Sequence, residues 1–250
     1  MKDKLKVCMM SDIHGNLIDP TRFPECDVIG FCGDTVPLEY QNDTAQSIAW
    51  FCLEFVPWTD KLPCKHVIFI AGNHDFFLED LTYYKKGNEL KTRTAQDVIR
   101  RLLPGNNKAK HKLIYLCDNS VEIEGKRIYG SPWIGDLKNW AFYKSPEDIV
   151  ETWKNIPKNC DILMTHQPPK MCDMGVVHEA CFNYFADWGS EELANVLQEK
   201  NIRYAFCGHV HSGNHNLVEY KNGCHVVNVS LLNEDYKPTF FQYEIPIYEI

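Results

Sequence analysis

Val67-Ile68-Phe69-Ile70-Ala71 runs directly into Gly72-Asn73-His74-Asp75. A short unbroken apolar run rich in β-branched and aromatic residues reads as a buried strand, and it stops on a cluster of side chains able to bind metal. The same pattern recurs along the chain. Leu5–Met10 leads to Asp12-Ile13-His14, Val28–Cys32 to Gly33-Asp34, Ile162–Thr165 to His166, and Tyr204–Cys207 to Gly208-His209-Val210-His211. Leu113–Leu116 is a further run of this kind. Between the runs lie helix-like stretches. Gln41–Phe55 repeats apolar residues at Ile48, Cys52 and Phe55, and Ser190 is placed to cap a helix carrying Leu193, Val196 and Leu197. Hairpin signals at Glu124-Gly125 and Asn222-Gly223 interrupt the alternation, so the expected architecture is a mixed-sheet α/β sandwich flanked by helices.

Bulk properties narrow the options. A chain of 250 residues suits one domain, 1–250, with a large core. Its 44% hydrophobic and 24% charged residues, with 12 Tyr, 13 Phe and 6 Trp, exclude a disordered chain. A formal net charge of -8 works against broad binding to nucleic acid or anionic lipid, so a small anionic substrate would need a local positive centre, which metal ions can supply. The N-terminal apolar run, Val7 to Met10, is too short for a signal peptide or membrane span, and the expected location is the cytoplasm. The 11 Cys are odd in number and nowhere spaced Cys-x-x-Cys, which reads as reduced, buried thiols. Asp136 to Asp187 is the least regular stretch. Loops and short helices over one sheet edge are expected there, with Trp140, Phe142, Tyr143 and Trp153 as a satellite core or a substrate wall.

Carboxylate and amide oxygens and neutral imidazoles hold hard or borderline metal ions. In Asp12-Ile13-His14, alternate residues of an extended segment point the same way, toward a common ion. Singly, an Asp-x-His or a Gly-Asp means little, and a lone His is usually structural. The order of the clusters carries the signal. Asp-x-His, Gly-Asp, Gly-Asn-His-Asp, His and Gly-His-x-His, spanning residues 12 to 211, resembles the motif series of the calcineurin-like metallophosphoesterases.

That resemblance implies a four-layer α/β/β/α sandwich with two divalent metal ions (Mn, Fe, Zn, Ni or Co, Mn favoured for activity) among the loops at the strand ends. Carried over by position, Asp12, His14 and His211 would ligate one ion, Asn73, His166 and His209 the other, and Asp34 both. Such a pair clamps a phosphate and turns a bound water into hydroxide. His74 resembles the histidine that contacts the phosphate or protonates the leaving group, with Asp75 expected to orient it or to cap a helix. None of the seven ligand positions is substituted, which favours an enzyme over an inert scaffold.

The protein serine/threonine phosphatases of this family carry Gly-Asp-x-x-Asp-Arg-Gly, where this chain has Gly33-Asp34-Thr35-Val36-Pro37 and lacks the arginine. Ile128–Trp133, Thr165–Pro169 and Val227–Ser230 instead resemble the compact metallophosphoesterase-domain proteins related to class III cyclic nucleotide phosphodiesterases. The expectation is a phosphodiesterase acting on small diesters such as cyclic nucleotides. The alternatives are a phosphomonoesterase, a short-oligonucleotide nuclease, or a metal-binding scaffold. Expected partners are a small phosphate-ester substrate and no membrane, with extended nucleic acid disfavoured and a homodimer left open. Trp133 offers either a base-stacking surface or a core residue, the core being commoner. His66, His111, His178, His215 and His225 lie outside the motif series and read as structural or solvent-facing.

Overall fold

Parallel strands buried on both faces need apolar residues at successive positions, and the six apolar runs are built that way. In the computed structural model, residues 4–86, 88–103, 112–179, 184–238 and 245–250 are described. One sheet has five strands in the order Tyr248–Glu249, Lys6–Met10, Cys26–Cys32, Cys64–Ile70 and Lys112–Tyr115. The other has six, in the order Val218–Glu219, His225–Asn228, Asn201–Cys207, Asn159–Thr165, Lys126–Ser131 and Asn119–Ile123. The strand pairs inside each sheet are parallel, and antiparallel pairing is confined to the outermost strands.

The two-residue period of each strand sorts its side chains between two cores. Val7, Met9, Val28, Cys32, Ile68 and Ile70 of the first sheet meet Ile162, Met164, Phe206 and Val227 of the second. The intervening residues, including Cys8, Ile29, Phe31, Phe69 and Leu163, face helices. Phe51 and Phe55 stack at 4.9 Å and pack on Phe69 and Phe31 from one outer layer. The helices Pro146–Lys154 and Glu191–Glu199 pack together and form the other, burying Trp153 and Leu197. The result is the expected α/β/β/α sandwich.

Local signals account for the helices. Asp43, Thr94, Ser145 and Ser190 each accept a backbone N–H from the first turn they precede. The expected helix over Gln41–Phe55 is regular only at Thr44–Trp50 and then widens into a π-helical turn, Phe51–Phe55, ahead of Val56–Thr59. The wide turn rotates the buried stripe, so Phe51 rather than Cys52 is fully enclosed.

The stretch from Asp136 to Asp187 is more ordered than expected. It contains a nine-residue helix, a central strand of the second sheet, and a hairpin pairing Val176–Glu179 with Tyr184–Asp187. Both expected hairpins form, with Glu124 and Gly125 at positive φ in one and Gly223 in the other. Tyr83–Lys86 and Glu89–Thr92 form a fourth, which no apolar alternation announces.

Candidate metal centre

Because the strands run parallel, the clusters that end them emerge at one edge of the sandwich, the usual place for an α/β site. Asp12, Asp34, Asn73, His166 and His209 each follow one of five parallel strands. The two sheets are stitched there. Ser11 bridges to Ser230 across the sandwich and donates its hydroxyl to the Cys32 carbonyl.

The side chains converge on Asp34. Its Oδ2 lies 3.4 Å from His166 Nε2 and 3.8 Å from both His14 Nε2 and His74 Nε2. Asn73 Oδ1 is 2.8 Å from His166 Nε2 and 2.8 Å from His209 Nδ1. Asp12 Oδ1 faces His211 Nε2 at 3.6 Å. Ligand atoms of Asp12, His14 and His211 lie within 4.8 Å of one another, as do those of Asp12, Asp34 and His166. All seven ligand-type residues named from the sequence are therefore gathered, and His74 stands beside them with His14 and Asp34.

These residues fit a divalent cation. The donors are oxygens and imidazole nitrogens only, a set that suits borderline metals. Both ring nitrogens of His14 are buried with no hydrogen-bond partner among the described residues. Native proteins rarely leave a buried polar group so placed unless another ligand engages it. Burial acts against a charged His166, yet the carboxylate of Asp34 raises it to about 10. Burial likewise acts to raise Asp34, and His166, His74 and His14 overturn this to hold it well below the ordinary carboxylate range. Burial pushes His14 down to about 4, partly opposed by Asp34.

The surroundings explain several secondary motifs. Ser230 Oγ donates to Asp12 Oδ2 at 2.6 Å, and Asn228 Nδ2 donates to the Val210 carbonyl at 2.8 Å, so Val227–Ser230 supports both the first and last ligand loops. The His209 N–H donates to both Asp12 oxygens, at 3.1 and 3.0 Å. Trp133 resolves as a core residue. It is 4% exposed, donates Nε1–H to Asp118 at 2.7 Å, packs on Phe142 and carries Lys144 over its ring.

The expected role of Asp75 in orienting His74 is corrected. Its carboxylate accepts the N–H groups of Gly72, Asp34, Thr35 and Val36, so it pins the Asp34 loop instead. Although it precedes the Phe76–Thr82 helix, its side chain makes no capping bond. Burial, reinforced by the Asp34 charge, lifts its carboxyl to about 6. The group against His74 Nδ1 is Gln41 Oε1, which nothing in the motif series points to. Asp136, 2.8 Å from His209 Nε2, was equally hidden in an irregular stretch.

Outside the cluster, His215 sits between the carbonyls of Asn228 and His211, and His225 stacks on Tyr204. His111 and the side chain of His178 lie outside the described residues.

The cluster floors a cleft of about 570 Å³ whose described walls include Leu137, Trp140, Val177, Trp188, Glu234 and Tyr236. Trp140 packs on His74 at 4.5 Å, Trp188 beside His209 at 5.9 Å, and Tyr236 beside His14 and His211, both at 5.2 Å. Within the 136–187 stretch Trp140 lines the cleft, while Phe142 and Trp153 are buried core.

Residues 5–213 match the calcineurin-like phosphoesterase family, and the chain belongs to it. Membership places it among hydrolases of phosphoesters. The chain is 30% identical over 252 residues to metallophosphoesterase domain-containing protein 1 of Homo sapiens, covering 93% of this chain and 67% of the human protein. A UPF0046 protein of Caenorhabditis elegans is 31% identical over 221 residues, covering 84% and 70% of the two chains. Of a second such protein, 28% identical, the chain spans 52%. Phosphopantetheinyl hydrolase from Mycobacterium tuberculosis shares the fold, with a TM-score of 0.52 at 12% identity over 100% of this chain and 97% of that one. No helix among the described residues is long and apolar enough to cross a membrane.

Proposed function

We propose that the protein is a dinuclear metal-dependent phosphodiesterase acting on small diesters such as cyclic nucleotides. Asp12, His14 and His211 would hold one ion, Asn73, His166 and His209 the other, and Asp34 would belong to both. The observation that carries the reading is the convergence of these side chains on Asp34 at the floor of a cleft whose described lining includes no lysine or arginine. Without a cationic side chain to match the second charge of a monoester, the site favours a singly charged diester. Aromatic walls suit an organic group on each side of the phosphate.

Two bound ions would supply Lewis acidity, offsetting phosphate charge and acidifying the attacking water. His74, held through Nδ1 by Gln41, turns Nε2 toward the floor, where its imidazolium form is placed to hydrogen-bond the phosphate or give the Nε2 proton to the leaving oxygen. Trp140 covers its ring and limits access of water. Asp75 fixes the loop that carries Asp34. The ten described free cysteines suit the cytoplasm, where thiols stay reduced.

The test is hydrolysis of bis-p-nitrophenyl phosphate and p-nitrophenyl phosphate by metal-stripped protein resupplied with Mn, Ni, Co, Zn or Mg. The diester should be cleaved faster. Asp34→Ala should lower the rate more than about 100-fold, the upper range for changes that merely disturb a ligand's orientation. Faster monoester cleavage would assign a phosphomonoesterase, and two bound ions without turnover of either ester would assign a scaffold.

A further inference from the structure

His209 is held from both sides. Its Nδ1 meets Asn73 Oδ1 at 2.8 Å, and its Nε2 meets Asp136 Oδ2 at 2.8 Å on the side away from the cluster. The two side chains are 2% and 15% exposed. The other oxygen of Asp136, Oδ1, is buried with no hydrogen-bond partner among the described residues. Burying one carboxylate oxygen without a hydrogen-bond partner costs free energy, which offsets part of what the bond to Nε2 contributes to stability. What the carboxylate does well is accept Nε2–H, which leaves the lone pair of the neutral imidazole on Nδ1, aimed into the cluster.

The loop that carries Asp136 is anchored by the residue after another ligand. The Gly135 N–H donates to Gln167 Oε1 at 2.9 Å, and Gln167 Nε2 donates to the Trp188 carbonyl at 2.8 Å. Gln167 is 4% exposed and directly follows His166. One buried amide therefore ties together His166, the approach to Asp136, and the Trp188 ring packed beside His209. His209 also sits at φ 71°, a backbone conformation that a non-glycine residue holds only when its surroundings enforce it.

We infer that Asp136, anchored through Gln167, is a positioning residue that sets the tautomer and aim of His209, and thereby the affinity of the Asn73–His166–His209 position for a divalent cation. The inference rests on the dinuclear reading proposed above. It assigns a role to a residue outside the motif series.

The test uses the full chain stripped of metal, as wild type, Asp136→Leu and Asp136→Asn, titrated with Mn(II) by calorimetry and by loss of the free Mn(II) electron paramagnetic resonance signal. Wild type should bind two ions. Asp136→Leu should weaken one binding step by about 10- to 100-fold and leave the other unchanged. Asp136→Asn, whose amide oxygen still accepts Nε2–H, should recover most of the loss. Equal affinity of all three proteins for both ions would overturn the inference, as would a loss of affinity in Asp136→Leu that falls equally on both binding steps. Should that variant not fold, Asp136→Ser is read by the same criteria. A wild type that binds fewer than two ions would overturn the dinuclear reading itself, and this inference with it.

Discussion

Asp12, His14, Asp34 and His209 have φ of 53°, 38°, 54° and 71°, so four of the seven ligand-type residues sit where side chains other than glycine are strained. Each such residue costs roughly 1–3 kcal/mol, and this clustering at one place marks a site held by the surrounding fold. The glycines beside the ligands serve close approach. A Cβ on Gly208 would lie 1.9 Å from Ser11 Oγ and 2.3 Å from Asp12 Oδ2. Gly208→Ala must therefore displace the Asp12 carboxylate or the loop that bears His209 and His211. We expect it to destabilise the protein by about 1–3 kcal/mol and to weaken metal binding at least tenfold, read by denaturant unfolding and metal titration. Wild-type values in both would mean that the loop relaxes freely. At this scale the residues that gather in the cluster were legible from residue type and order. The partners of His74 and His209 were not, because Gln41 and Asp136 reach them across the fold.

Among the elements, the first sheet is strapped at its far edge by Asp27. Its carboxylate accepts the Lys6 N–H at 3.0 Å and pairs with Lys65, linking three adjacent strands. Burial acts to raise this carboxyl, but the bonds from Lys65 and Lys6 win and lower it. A depressed folded-state value stabilises the protein above the unfolded carboxylate range, and the contribution disappears as pH falls through the folded value. Wild type should thus exceed Asp27→Asn in urea midpoint at pH 7, and the gap should shrink below about pH 4, the ordinary range for aspartate. A gap independent of pH would show that the strap acts through shape rather than charge. Strand positions were readable because β-branched runs buried on both faces have little else to become. Helix starts were readable only where a cap such as Ser190 precedes an apolar period. The π-helical turn at Phe51–Phe55 and the Tyr83–Thr92 hairpin depend on packing and pairing that no local pattern records.

For the molecule as a whole, parallel strands place every candidate cluster at one edge, and its side chains come from both sheets. Ions bound there would join the two halves of the sandwich and stabilise the folded state by mass action. At free metal about 100 times the dissociation constant, each ion adds about 2.7 kcal/mol. For a chain of this size that amounts to a rise in Tm of roughly 5–10 °C per ion. Thermal unfolding in chelator and in Mn(II) should show the rise for wild type and little or none for Asp34→Ala. The same Tm with and without metal would leave the centre without a cation.

The sequence by itself determined the apolar parallel strands, the α/β class and the seven metal-donor residues of the cluster, because burial on both faces and the chemistry of metal donors each demand particular residue types at short range. Tertiary structure alone decided what those residues touch. It turned Asp75 onto the Asp34 loop, buried Trp133 against Asp118, set Gln41 against His74, and enclosed the centre with Trp140, Trp188 and Tyr236. Each of these contacts joins residues distant in the chain or leaves an irregular loop, where neither period nor motif carries the partner's identity.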